Sequence, residues 1–245
     1  MNREYNFAER KGKSGRVFHF PEGSDAEPFL EEYNGRAEKY YKGNKNLKVL
    51  SLQDIKGVPT IVGSNTFAPI LAYQILKSQG YKPATLSNIE RTLEDGDILG
   101  IRDNYYVDLG IVLRSRDDSN ASLANKLADQ LEDRGISLKN PIYIPSSSLE
   151  LISDQSSKDY GLVLKLKEDA EIIVAHELLG SNSGNKFLRA NEKGLPIFDS
   201  MEDRTLHAQD NGLSRLGLVR CLLLDSGNDN LAYSNEYGGV VLVKG

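Results

Sequence analysis

"VPTIVGSNTFAPILAYQILKSQG", residues 58–80, decides how the first half of this chain is read. Val58, Thr60, Ile61 and Val62 suit a strand, because β-branched side chains fit a pleated surface. Gly63 supplies a turn, and Thr66 is placed to cap a helix. Pro69 falls in the first helical turn, where its missing N–H costs nothing. Leu71, Ala72, Ile75 and Leu76 then recur at helical spacing, and Gly80 closes the helix. A strand, a polar turn and an apolar-striped helix in succession predict an α/β layer.

Working outward, "RVFHF" (16–20) reads as a strand. "SDAEPFLEEYNGRAEKYYKG" (24–43) reads as a helix with Ser24 or Asp25 as N-cap and a weak point at Gly35 that divides it in two. "LKVLSL" (47–52) is a further strand. Thr85 caps a short helix, and Asp95-Gly96 begins a hairpin through "DILGI" towards "YYVDLGIVLRS". The strongest helical pattern is "SNASLANKLADQLEDRG" (119–135), with Leu123, Leu127 and Leu131 on one face, Ser119 as cap and Gly135 as stop. "PIYIP" (141–145) reads as an edge strand because prolines bound it.

Beyond about residue 155 helical periodicity fades. "YGLVLKL", "AEIIVAHELL", "LGLVRCLLL", "LAYSN" and "GGVVLVK" are strand-like runs separated by Gly, Asn, Asp and Ser. The expected class is therefore α+β, a mixed sheet flanked by helices in the first two thirds and a mainly antiparallel C-terminal third. Residues 1–155 form an α/β region with a polar N-terminal tail, and residues 156–245 a β-rich region; "ISDQSSKD" between them is only loop-sized, so both can belong to one domain. A phrase recurs at unequal spacing: "DLGIVLR" at 108, "DYGLVLK" at 159 and "RLGLVRC" at 215, with "YGGVVLVK" at 237 as a looser echo. Unequal spacing excludes a solenoid, and the phrase is read as how a buried strand begins.

The 245 residues suffice for a sizeable core, and 39% hydrophobic with 27% charged is a globular composition. A net charge of −5 disfavours nucleic acid and anionic membrane as partners. One basic stretch, "GRAEKYYKGNKNLK" (35–48), does not outweigh that. The single cysteine excludes an internal disulfide and a four-cysteine zinc site. The opening residues are charged and lack a signal-peptide core, and no long apolar run occurs, so the expectation is a cytoplasmic protein.

Four stretches bear on chemistry. "GSNSGNK" (180–186) has the outline of a phosphate loop, but Asn185 stands where the second glycine belongs and Phe187 where the metal-binding hydroxyl belongs; the nucleotide-loop reading is rejected. Gly63, Ser64, Asn65 and Thr66 form the leading candidate. They follow a strand and open a helix, where free N–H groups and the helix dipole attract a small polar or anionic ligand. His176, Glu177, His207 and Asp210 are a second candidate, since imidazole and carboxylate ligands could hold a hydrolytic metal ion. Neighbouring strand residues such as His176 and Glu177 point to opposite faces, which counts against it. His19 reads as a partly buried strand histidine, Cys221 as a buried structural thiol, Ser146–Ser148 as turn composition, and Asp117, Asp118 and Asp225 as carboxylates ending strands. No Gly-x-Ser-x-Gly elbow occurs. The expected functions are a ligand-binding protein, with a metal-dependent hydrolase and a non-catalytic homo-oligomer as alternatives. No pattern names a cofactor.

Overall fold

The computed structural model describes residues 3–12, 17–41, 50–93, 105–116, 120–154 and 156–244. The chain runs β1 (Ala8–Lys11), β2 (Val17–Phe20), α1 (Ala26–Tyr41), β3 (Ser51–Ile55), β4 (Val58–Val62), α2 (Phe67–Leu76), β5 (Tyr81–Pro83), α3 (Leu86–Leu93), β6 (Tyr106–Leu113) and α4 (Ala121–Glu132). It continues almost entirely in strands: β7 (Ile142–Pro145), β8 (Leu149–Ser153), β9 (Leu162–Leu166), β10 (Ile173–Val174), β11 (Phe187–Ala190), β12 (Pro196–Phe198), β13 (Leu206–Ala208), β14 (Leu213–Val219), β15 (Leu223–Ser226), β16 (Gly238–Gly239) and β17 (Leu242–Lys244). The class is α+β. Among the described residues every α-helix precedes residue 133, and none is long and apolar enough to cross a membrane.

The helices show which local signals prevail. In α1 the expected break at Gly35 does not occur. One interior glycine costs about 1 kcal/mol, and burial of Ala26, Phe29, Tyr33 and Ala37 along one face outweighs it. Gly35 itself is exposed, with nothing within 4 Å of where a Cβ would stand. Gly35→Ala should therefore stabilise the protein by about 0.5–1 kcal/mol, seen as a rise in Tm of roughly 1–4 °C. A fall in Tm would show that the helix needs its glycine.

The cap of α2 is Asn65 rather than Thr66. Asn65 Oδ1 accepts the N–H groups of Phe67 (2.9 Å) and Ala68 (3.1 Å), while Thr66 already has helical torsions. Thr85 caps α3 reciprocally with Asn88: Thr85 Oγ1 accepts the Asn88 N–H, and Asn88 Oδ1 accepts the Thr85 N–H. For α4 the expected cap, Ser119, lies outside the described residues. The Asp159 carboxylate, from the β8–β9 connection, accepts the Leu123 N–H at 3.0 Å.

The central sheet has the order β10-β7-β6-β14-β15-β13, with β16 also paired to β6. A second sheet has the order β1-β2-β17-β5, and β3-β4, β8-β9 and β11-β12 are separate two-stranded pairs. β13 runs parallel to β15 and β16 parallel to β6; the other described pairings are antiparallel. β6 and β14 lie on opposite sides of residue 155 in sequence and are neighbours in the sheet. One apolar core lies between the sheet and α1, α2 and α4; the other packs β2, α3 and β11 against the opposite face.

Several expectations need correction. "PIYIP" forms β7, which lies between β6 and β10 rather than at an edge. Its prolines sit at the ends, and Pro141 still accepts a hydrogen bond from the Ala175 N–H through its carbonyl. "LGLVRCLLL" is not one strand but β14, a turn and β15. The turn places Cys221 and Leu222 at φ 62 and φ 60, and leaves Cys221 exposed rather than buried. No Gly or Pro marks that turn. "LAYSN" is a turn, not a strand. The proposed hairpin through "DILGI", the first residues of "LKVLSL", Asp117 and Asp118 lie outside the described residues.

Candidate functional site

A bulge in β6 places the polar residues that matter. Leu216 of β14 faces Gly110, but the next residue, Gly217, faces Asp108, so Leu109 is an extra residue on β6. Side chains therefore change faces along the strand. Ile111 and Leu113 point into one core, whereas Val107, Leu109 and Val112 point into the other. Without the bulge, alternation would put Val107 and Leu109 on the face of Ile111. With it, Tyr106 and Asp108 take those places.

Asp108 then stands in a row across the sheet. It pairs in register with Gly217, Gly217 with Asp225 of β15, and Asp225 with His207 of β13. Cross-strand partners share a face. Gly217 leaves a gap in that row, and the side chain of Arg215, two residues earlier on the same face, lies against it. A Cβ at Gly217 would stand 3.3 Å from Arg215 Nη2.

Arg215 Nη2 is 3.0 Å from Asp108 Oδ1, an ion pair that is almost wholly buried at both ends. The contact is not aligned as a hydrogen bond, and Arg215 Nε has no hydrogen-bond partner among the described residues. The other carboxylate oxygen of Asp108 accepts the Ser64 hydroxyl at 3.0 Å. Burial pushes the Asp108 carboxyl above the ordinary range and Asp225 adds to this; Arg215 and the Ser64 hydroxyl pull it back only in part. Tyr106 donates to the Ser64 carbonyl at 2.6 Å and accepts the Asn235 N–H at 3.2 Å. Burial and then the Asp108 charge raise its phenol, so it stays protonated. Gly238 must be small here, because a Cβ would overlap the Tyr106 hydroxyl and lie 2.9 Å from the Ser64 carbonyl oxygen.

Arg215 forms part of the wall of a cleft of about 490 Å3, together with Tyr106, Arg220, Asp225, Tyr233 and Asn235. Its guanidinium carbon lies 4.8 Å from the Tyr106 ring centre and 5.6 Å from that of Tyr233. The loop that carries Tyr233 is tied down: the Arg215 N–H donates to the Asn228 carbonyl, Ser234 Oγ to the Gly63 carbonyl, and Asn235 Nδ2 to the Tyr233 hydroxyl. A second buried arginine provides the contrast. Arg114 donates to the Leu178 carbonyl, Ser214 Oγ and Ser226 Oγ, and burial lowers its pKa to about 10. Arg114 is a satisfied structural cation, whereas Arg215 has donor capacity to spare.

The expected ligand turn is placed differently from its sequence reading. Ser64, Asn65 and Thr66 are completely buried. The Ser64 N–H donates to the Gly238 carbonyl and the Thr66 N–H to the Leu231 carbonyl, while Asn65 takes the next two. The chain itself thus occupies the main-chain donors expected to hold an anion. The turn supports the cleft from behind, through the Ser64 hydroxyl on Asp108.

The expected metal ligands do not converge. His176 and Glu177 lie in a 3-10 turn after β10, and His207 and Asp210 lie on or just after β13. Among the described residues no group of three or more His, Cys, Asp or Glu side chains could hold a metal ion. Lys186, from the stretch resembling a phosphate loop, donates to Thr205 Oγ1 and the Asp203 carbonyl.

Sequence reasoning missed Tyr106, Asp108, Arg215 and Tyr233, yet one signal was present. In "DLGIVLR" and "RLGLVRC" an acid and a base occupy the same place in two apolar strands. Such charges are buried only when paired. No protein-family model, no curated protein and no solved structure matches this chain.

Proposed function

We propose that the chain binds a small anionic ligand in the Arg215 cleft. The observation that carries this is a guanidinium held by Asp108, bordering an open cavity, with a buried N–H left unserved. An unsatisfied buried donor is costly, and proteins retain few of them without a use. A carboxylate or phosphate suits the planar guanidinium, and Arg220 adds a second cation. The tyrosines offer ring faces to the rest of the ligand.

The test is a titration followed by backbone amide NMR, using acetate, phosphate and sulfate as probes. Resonances of residues 215–237 should shift. Arg220→Ala, an exposed position, should weaken binding by about 1.5- to five-fold, the range for one solvent-accessible charge contact. The double variant Asp108→Leu/Arg215→Met should abolish it. Undiminished binding by the double variant, or no response to any of the anions, would refute the assignment.

A further inference from the structure

The cleft does not end at Asp225. A second hollow, also of about 490 Å3, shares Val219, Asp225 and Asn228 with it and continues past His207 and Ser183. The cross-strand row accounts for this continuity, because Gly217, Asp225 and His207 lie side by side on three adjacent strands. Strands are spaced about 4.8 Å apart, so Asp225 lies about one strand spacing from the gap that Arg215 fills.

Charge is therefore laid out along a line. The Arg215 guanidinium lies against the Gly217 gap, Arg220 also lines the first hollow, and Asp225 lies where the two hollows meet. Asp108 is fully buried against Arg215 and does not reach the cleft. A simple anion drawn to Arg215 would be repelled by Asp225. A ligand with a cationic group one strand spacing from its anionic group would turn that repulsion into attraction. Asp225 can only accept hydrogen bonds when ionised, which suits an ammonium. The Gly227 N–H donates to Asp225 Oδ1 at 2.9 Å, holding the carboxylate in position.

Building on the proposed anion site, we infer that the ligand is an amino carboxylate: its carboxylate meets Arg215, its ammonium meets Asp225, and its remaining substituent extends towards His207. The paired charges of the cleft select a zwitterion over either ion alone.

The experiment titrates the 245-residue chain with glycine, β-alanine, 4-aminobutanoate and 5-aminopentanoate, against acetate, propanoate, butanoate and pentanoate. Affinities are read from the amide shifts of residues 215–237. At the best chain length the amino carboxylate should bind at least about ten-fold more tightly than its unsubstituted partner, the lower bound for one charge-assisted hydrogen bond. Asp225→Asn has the same shape and keeps an acceptor for Gly227; in that variant the two ligands should bind within about two-fold of each other. Equal binding of both series by the unaltered protein, or an advantage that survives Asp225→Asn, would overturn the inference. Shifts with phosphate or sulfate but with no amino carboxylate would leave the anion site standing and remove the zwitterion. Silence from all of these probes would remove both.

Discussion

Arg215→Met should destabilise the protein by about 3–5 kcal/mol, and adding Asp108→Leu should restore most of that loss. The single change leaves the Asp108 carboxylate completely buried with no countercharge. Breaking one side of a buried pair exposes the whole cost of desolvating the other. Removing both sides exchanges an ion pair for apolar contact in a sheet whose adjacent positions, Ile111 and Leu213, are already buried and apolar. The recovery should be incomplete by about 1 kcal/mol, because Ser64 Oγ loses its acceptor on Asp108. Urea unfolding of the four proteins in this cycle measures the coupling directly. If the double variant is less stable than Arg215→Met alone, the pair is not the coupled unit described here. If it is as stable as the unaltered chain yet has lost its ligand, then Asp108 and Arg215 serve binding at no net gain to the fold.

How far the sequence reveals this architecture depends on the range of each signal. The strand–turn–helix at 58–80 was legible because its cause is local: β-branched residues, a glycine with φ 89 at Gly63, and a helical apolar stripe. Helix α4 was legible for the same reason, and its cap was not, because Asp159 reaches it from a loop 36 residues away. The continuity of α1 through Gly35 depends on what its buried face packs against, which propensity does not contain. The site is the extreme case. A one-residue bulge in β6 decides which face Asp108 takes, and only the pairing with β14 creates that bulge. Ser64 was noticed for the right turn and given the wrong task. Free amides at a helix start are an inference about local geometry, whereas the carbonyls of Gly238 and Leu231 that consume them come from more than 160 residues further along the chain. The opposite charges of "DLG" and "RLG" were visible throughout. They become informative only once both runs are taken as neighbouring buried strands.

Gly110→Ala should be the most damaging single-methyl change in the sheet, with an expected loss of at least about 3 kcal/mol. Gly110 lies in the middle of β6, opposite Pro145 on one side and Leu216 on the other. A Cβ there would overlap the carbonyl oxygen of Ile144 and stand 3.0 Å from the Cα of Pro145. Those are main-chain atoms of the adjoining strand, so no side-chain rotation relieves the clash. The strands must separate or the register must slip, and either movement disturbs the bulge one residue away that aims Asp108 at Arg215. The same substitution at Gly35 adds the same methyl group and should stabilise. The opposite signs follow from what each new carbon would meet, open solvent in α1 and a carbonyl in the sheet. Urea unfolding of both variants under one set of conditions provides the comparison. A loss below about 1 kcal/mol for Gly110→Ala would mean that β6 and β7 lie further apart than described, and that the bulge placing the cleft's ion pair is free to relax.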